Sequence, residues 1–189
     1  MTAAEYFENF VLPSAREYCE AEDALTQAAS KNFPTDSLEL AARRKAANAA
    51  YAAWHMADWM WEQMTAVAKT NIGVTSLNDY RKQLEKTHCE YLRTGKNCDD
   101  FNLLGSVADA FKHFKLRNKN REVDSADAIE GLSSGWSEVR WGEGKWGGAP
   151  QVMITQRDKS MRAFSAVLQN SVDMWRRALG LPLPKINEF

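Results

Sequence analysis

The sequence predicts a mainly α fold: a helical bundle with a small Gly/Trp-rich β-hairpin insertion before the last helix. Three observations carry this prediction. The stretch Ser37–Ala68 is dominated by alanine in its first half and by Trp and Met in its second, and alanine favours helix strongly. Two later segments carry apolar stripes at helical spacing, first Leu104, Val107, Ala108, Phe111 and Phe114, then Leu168, Val172, Trp175 and Leu179. Between those segments the chain turns polar and Gly-rich, with the related pieces RWGEG and KWGGA and a β-branched run at Val152–Thr155. A chain of 189 residues is long enough for one domain with a real core. No internal repeat or long linker divides it, so residues 1–189 read as one helical domain with a β insertion at about 136–164.

Each element has its own signal. Thr2, with Glu5 three residues on, forms a capping box that opens a short helix. Pro13 is expected to interrupt it, with a second helix over Ser14 to Ala29 that Phe33-Pro34 stops. Thr35 or Asp36 caps the Ser37–Ala68 helix. Its Tyr51, Trp54, Met56, Trp59, Met60, Trp61 and Met64 cover most of the circumference, as expected of a central helix touched by several neighbours. A loop follows around Gly73. Ser76 caps the next helix, Leu77 to about Arg93, with Gly95 as its C′ residue. Asn97 or Asp99 opens another, about Asp100–Leu116. Glu122–Gly135 reads as a loop and 136–149 as a hairpin or ordered Gly/Trp loop. Val152–Thr155, the turn Arg157–Ser160 and Met161–Phe164 read as strand, turn and return strand. The last helix, about Ser165–Leu179, ends at Gly180 before a tail with Pro182 and Pro184.

Composition narrows the function classes. The net charge is −1 with 26% charged residues, so any nucleic-acid contact must come from a local basic patch. Charged or polar residues interrupt every apolar run before it could span a bilayer. The opening MTAAEYFENF has acids and no basic region ahead of an apolar core, so a signal peptide is not expected. Cys19, Cys89 and Cys98 lack metal-ligand spacing, which points to reduced thiols and a cytoplasmic location. Seven Trp residues are many for this length, and Trp favours partly buried and interface positions. The sequence has no G-x-S-x-G, H-E-x-x-H, CxxC or Walker pattern, and no cofactor is expected.

One composite polar site is worth assembling. Arg44, Asn48, His55, Asp58 and Glu62 fall within about a quarter turn of one another on the long helix. On the Asp100–Leu116 helix, Asn102, Ser106, Asp109 and His113 lie opposite the apolar face. If the two polar stripes meet, two imidazoles, three carboxylates and Arg44 converge. The catalytic candidates are then His113, Asp109, His55 and Asp58. A His oriented by a carboxylate acts as general acid or base, and a cation stabilises a phosphorane-like charge, which suits metal-independent RNA cleavage. The phosphate-binding candidates are Arg44, Lys112, Lys115 and Arg117, the last three from a basic run that continues through Lys119 and Arg121. The same His and carboxylate set also suits a divalent metal in a bundle. It lacks a full Glu-x-x-His pair from two helices, so no metal ligand is assigned. Each stripe is equally the pattern of a solvated helix face, where an i,i+4 pair contributes only tenths of a kcal/mol. The basic run is also the charge a helix C-terminus favours. His88, with Glu85 three residues before it, reads as an ordinary surface residue.

Two resemblances bear on function. The succession AANAAYAAWHMADWMW, VADAFKHFKL, a Gly-rich hairpin and a helix ending in DMWRRALG resembles an uncharacterised family of small bacterial and phage helical proteins. The segment Asp109-x-x-Lys112-His113 is similar in layout to the final-helix motif of HEPN domains, helical domains common in RNases and in toxin–antitoxin or antiviral systems. That motif carries an Arg, a neighbouring polar residue and then a His. Here Val107 or Ala108 stands at the Arg position and Asp109 where Asn is common. The HEPN-like resemblance implies RNA binding or RNA cleavage, with His113 as acid or base, Asp109 orienting it, and Lys112 or Arg117 on phosphate.

The expectation that follows is a cytoplasmic helical interaction protein, binding a protein partner or a second copy of itself through Trp-rich surfaces and making no membrane contact. A HEPN-like RNA-binding or ribonuclease domain and a metal-binding helical bundle are the alternatives. The sequence leaves open whether the protein is an enzyme.

Overall fold

A computed structural model describes residues 1–113, 121–132 and 150–185. Lys115, Arg117, Lys119 and the Gly/Trp segment 136–149 lie outside the described residues. The fold is mainly helical, with a three-stranded antiparallel sheet before the final helix.

The first helical run does not break at Pro13. Helix α1, Ala3–Tyr6, opens on the Thr2–Glu5 capping box, passes into a π-helical turn at Phe7–Val11, and continues as α2, Leu12–Ser30. A proline inside a helix lacks the N–H donor and crowds the preceding turn. Here the turn just before Pro13 is widened, with the Leu12 N–H donating to the Phe7 carbonyl five residues back. Pro13 then falls in the first turn of α2. Helix α3, Asp36–Gln63, returns antiparallel to α2, so that Lys45 pairs with Glu17 and Tyr6 packs by Trp59. Its buried face is mostly alanine, with Ala42, Ala46, Ala49, Ala50, Ala53 and Ala57 all closed to solvent. Small side chains let α2 and α3 approach closely, and among the described residues the two share the most extensive helix contact.

The long helix is shorter than its composition predicts. Met64 is extended, and Thr65 caps a separate helix α4, Ala66–Asn71, by accepting the Ala68 N–H. Helix α5, Leu77–His88, starts at Ser76 as expected but stops before Arg93. Cys89 turns extended, Glu90 pairs with Asn97 in an antiparallel bridge, and Tyr91–Arg93 forms a 3₁₀ turn. Gly95, at φ +75°, is the tip of this small ladder rather than a helix cap.

Helix α6, Asp100–Lys112, is enclosed on nearly every side. Even Ser106, on the face expected to be polar and solvated, is fully buried, and its hydroxyl accepts the Glu122 N–H. Residues 121–128 fold back over that face. The expected Glu122–Gly135 loop contains a 3₁₀ turn at Ala126–Ala128 and strand β1, Ile129–Leu132. Strand β1 pairs with β2, Gln151–Thr155, which pairs with β3, Met161–Ala163. Helix α7, Phe164–Ala178, closes the bundle. At the centre, Phe101 packs edge-on against Trp175 and tilted against Trp54, and the Trp175 indole N–H donates to the Ala53 carbonyl at 2.9 Å. Among the described residues no helix is long and apolar enough to cross a membrane.

Candidate functional site

The polar residues of α3, α5 and α6 meet around one indole. Trp54 is almost entirely buried on α3. It can approach α6 only because residue 105 is glycine, since a Cβ there would lie 2.6 Å from the Trp54 ring. The Arg81 guanidinium, from α5, lies 4.1 Å from the Trp54 ring centroid, and that of Arg121, just beyond α6, lies 5.3 Å from it. Cations over an indole face are attracted by its quadrupole, more strongly where water is excluded, and the two arginine side chains are only 16% and 17% exposed.

Each guanidinium is also held by a carboxylate. Arg81 Nη2 donates to Asp58 Oδ1 and Arg121 Nη2 to Asp109 Oδ2. The other Asp58 oxygen meets His55 Nδ1 at 2.7 Å, and the His55 ring lies parallel to Tyr51, 10° between planes. A continuous network therefore runs from Tyr51 and His55 through Asp58, Arg81 and Trp54 to Arg121 and Asp109. Burial lowers the Arg81 pKa; Asp58 opposes that shift and the neighbouring charge of Arg121 adds to it. Burial, and then the Asp109 charge, push the Tyr51 phenol up.

Beside this network lies a cleft of about 500 Å³, with Trp54, Arg81, Lys82, Glu85, Asn102 and Arg121 in its wall. Asp58 and Asp109 are not part of that wall, so they steady the guanidiniums from outside it. The Glu85 carboxyl is pushed up to about 7, first by burial and then by Asp99 and Asp100, against hydrogen bonds from the Asn102 and Phe101 amides. The cleft wall thus presents two carboxylate-paired guanidiniums, one lysine and an acid whose ionisation burial opposes, and the guanidinium and ammonium donors are of the kind that hold a phosphate.

The residues singled out from sequence fall in different places. His55 and Asp58 are in contact, and Asp58 and Asp109 are brought to neighbouring arginines. The Asp109 carboxylate pairs with Arg121, while its backbone carbonyl accepts the His113 N–H. His113 and Lys112 are exposed at the end of α6. Arg44 and Asn48 line a separate shallow groove of about 420 Å³ with Leu40 and Phe111. Lys115 and Arg117 lie outside the described residues. Among the described residues no group of three or more His, Cys, Asp or Glu is placed to hold a metal ion. Of the tryptophans, Trp54 and Trp175 are core residues and Trp59 and Trp61 are half-buried.

Arg81, Lys82 and Glu85 belong to none of the stripes or motifs singled out above, and in the sequence Arg121 is only the end of a basic run. The available signal was on α5: Arg81 and Glu85 are four apart, on a helix whose apolar side is Leu77, Tyr80 and Leu84. Comparison with protein-family models, with curated proteins and with solved structures finds no match to this chain.

Proposed function

We propose that the protein is a binding module for the phosphate groups of an RNA strand, seated in the cleft by Arg81, Lys82 and Arg121 against Trp54. One observation carries this reading: two guanidiniums, each already oriented by its own carboxylate and by the same indole, face one cleft with a lysine beside them. Ordering donors before the ligand arrives removes part of the entropic cost of binding. A guanidinium presents paired N–H donors that match phosphate geometry. The test is fluorescence anisotropy of a labelled single-stranded RNA across a salt series, with inorganic phosphate and a nucleoside monophosphate as competitors. Three phosphate contacts predict a log–log salt slope of about −2. Arg121→Ala should weaken binding tenfold or more and make the slope shallower by about 0.7. Competition by the monophosphate at low concentration would assign the cleft to a free nucleotide instead of RNA. No salt-dependent binding of any phosphate, or unchanged binding by a folded Arg121→Ala protein, would remove the proposal.

A second reading, self-association through aromatic side chains, has its own observation. Tyr6 packs against both Phe10 and Trp59 at 5.0 and 5.7 Å, and Phe10 is 48% exposed. Light scattering over a concentration series, comparing the native chain with Phe10→Ser, decides it. The expected result is a native mass above that of one chain and a monomeric variant; a native monomer throughout eliminates this reading.

A further inference from the structure

The connection between α5 and α6 carries two thiols in contact. Cys89 directly follows α5 and Cys98 lies just before α6, and their Sγ atoms are 3.5 Å apart. The Cys98 N–H donates to the Cys89 carbonyl at 3.2 Å, and the next residues in, Glu90 and Asn97, form an antiparallel bridge. The cysteines therefore oppose each other across a two-stranded ladder whose turn holds Leu92, Arg93 and Gly95 at positive φ. Opposed residues in such a ladder have Cα atoms about 5.5 Å apart, within the range of about 4.4–6.8 Å that a disulfide spans. An S–S bond of about 2.05 Å thus requires a side-chain rotation and no change of register.

The two thiols differ in access. Cys89 is wholly buried, with its Sγ also 3.9 Å from the Asn170 carbonyl, whereas Cys98 is partly exposed. The hydrogen bond to the Cys98 thiol, and then burial, push the Cys89 thiol up. Exchange with a soluble reagent therefore starts at Cys98, and Cys89 is the resolving thiol.

We infer that Cys89 and Cys98 form a dithiol site that takes a low-molecular-weight disulfide, of which oxidised glutathione is the probe, and closes to an intramolecular disulfide. Cys98 loses its proton and attacks one sulfur of the reagent. A mixed disulfide forms, the reagent's S–S bond breaks, and one glutathione leaves as a thiolate that takes up a proton. Cys89 then loses its proton and attacks the Cys98 sulfur, releasing the second glutathione as a thiol. The protein loses two hydrogens, and one external disulfide is reduced to two thiols. The cross-link ties the end of α5, which carries Arg81, Lys82 and Glu85, to the start of α6, which carries Phe101 and Asn102. The site stands on its own geometry, independently of what the cleft binds.

The experiment equilibrates the full chain in reduced and in oxidised glutathione, followed by acid quench and non-reducing peptide mapping. A Cys19→Ser chain is treated in parallel. The expected result is a Cys89–Cys98 disulfide as the main oxidised species in both chains, reversed by reduced glutathione. Three results overturn the inference: both thiols free in oxidised glutathione, a glutathione adduct on Cys98 as the end product, or pairing of either cysteine with Cys19.

Discussion

Glu85 accepts the Asn102 backbone N–H at 2.7 Å and so satisfies one of the open donors at the start of α6. Burial then works on the same carboxyl and pushes it up to about 7, from an ordinary value of 4.5. Between those two values the folded protein keeps a proton that the unfolded chain has released. This stabilising contribution is complete below about pH 4.5 and is lost as pH rises through about 7. Glu85→Gln keeps the acceptor and removes the titration. Urea midpoints at pH 5, 6, 7 and 8 should show a flatter profile for the variant. At pH 8 the variant should be more stable by about 1 kcal/mol, after discounting for the solvent that reaches this half-buried group. Parallel profiles would show that burial of this carboxyl is not what titrates. The His55–Asp58 pair was legible in the sequence, because three-residue spacing on a helix alone brings the two together. The surroundings of Glu85 were not, because α6 creates them from residues fourteen and more positions downstream in the chain.

Helix α5 carries four of the residues in the cleft wall, Asn78, Arg81, Lys82 and Glu85, and its start is set by Ser76. The Ser76 hydroxyl accepts the Asp79 N–H at 3.1 Å and donates to the Asp79 carboxylate at 2.7 Å. Ser76→Ala should cost about 1 kcal/mol of stability, read as a lower urea midpoint. It should also weaken RNA binding, because the first turns of α5 orient Arg81 and Lys82. A variant of native stability would mean that Asp79 or water replaces the cap. Starts of this kind were legible, since Thr2 with Glu5, and Ser76, announce themselves by residue type and spacing. Helix ends and interruptions were not. Met64 ends α3 because Thr65 begins a new cap, and α5 stops at His88 because the chain beyond it pairs with itself at Glu90 and Asn97. Pro13 predicts a break, yet a widened turn absorbs it. Local propensity is indifferent between these outcomes, and the hydrogen bonds available nearby decide them.

Across the whole molecule, buried charges tie distant segments together. Asp173, buried in α7, receives both Nε and Nη2 of Arg93 at 2.7 and 3.0 Å. Asp100, at the start of α6, receives Arg162 from the sheet and Asn170 from α7. These pairs tie the α5–α6 connection, the last strand and the last helix together, and a carboxylate buried without such partners would be strongly unfavourable. By itself the sequence determined the helical class, the late β segment, most helix starts and the pairing of His55 with Asp58. All of these depend on neighbours within about one turn or one strand, so residue order specifies them. The tertiary structure alone decided that α6 is enclosed, that Ile129–Leu132 is a strand, and that Arg81 and Arg121 meet on Trp54 between Asp58 and Asp109. Those contacts join residues far apart in the chain, and they exist because burying Trp54, Phe101 and Trp175 in one core brings three polar helix faces to the same point.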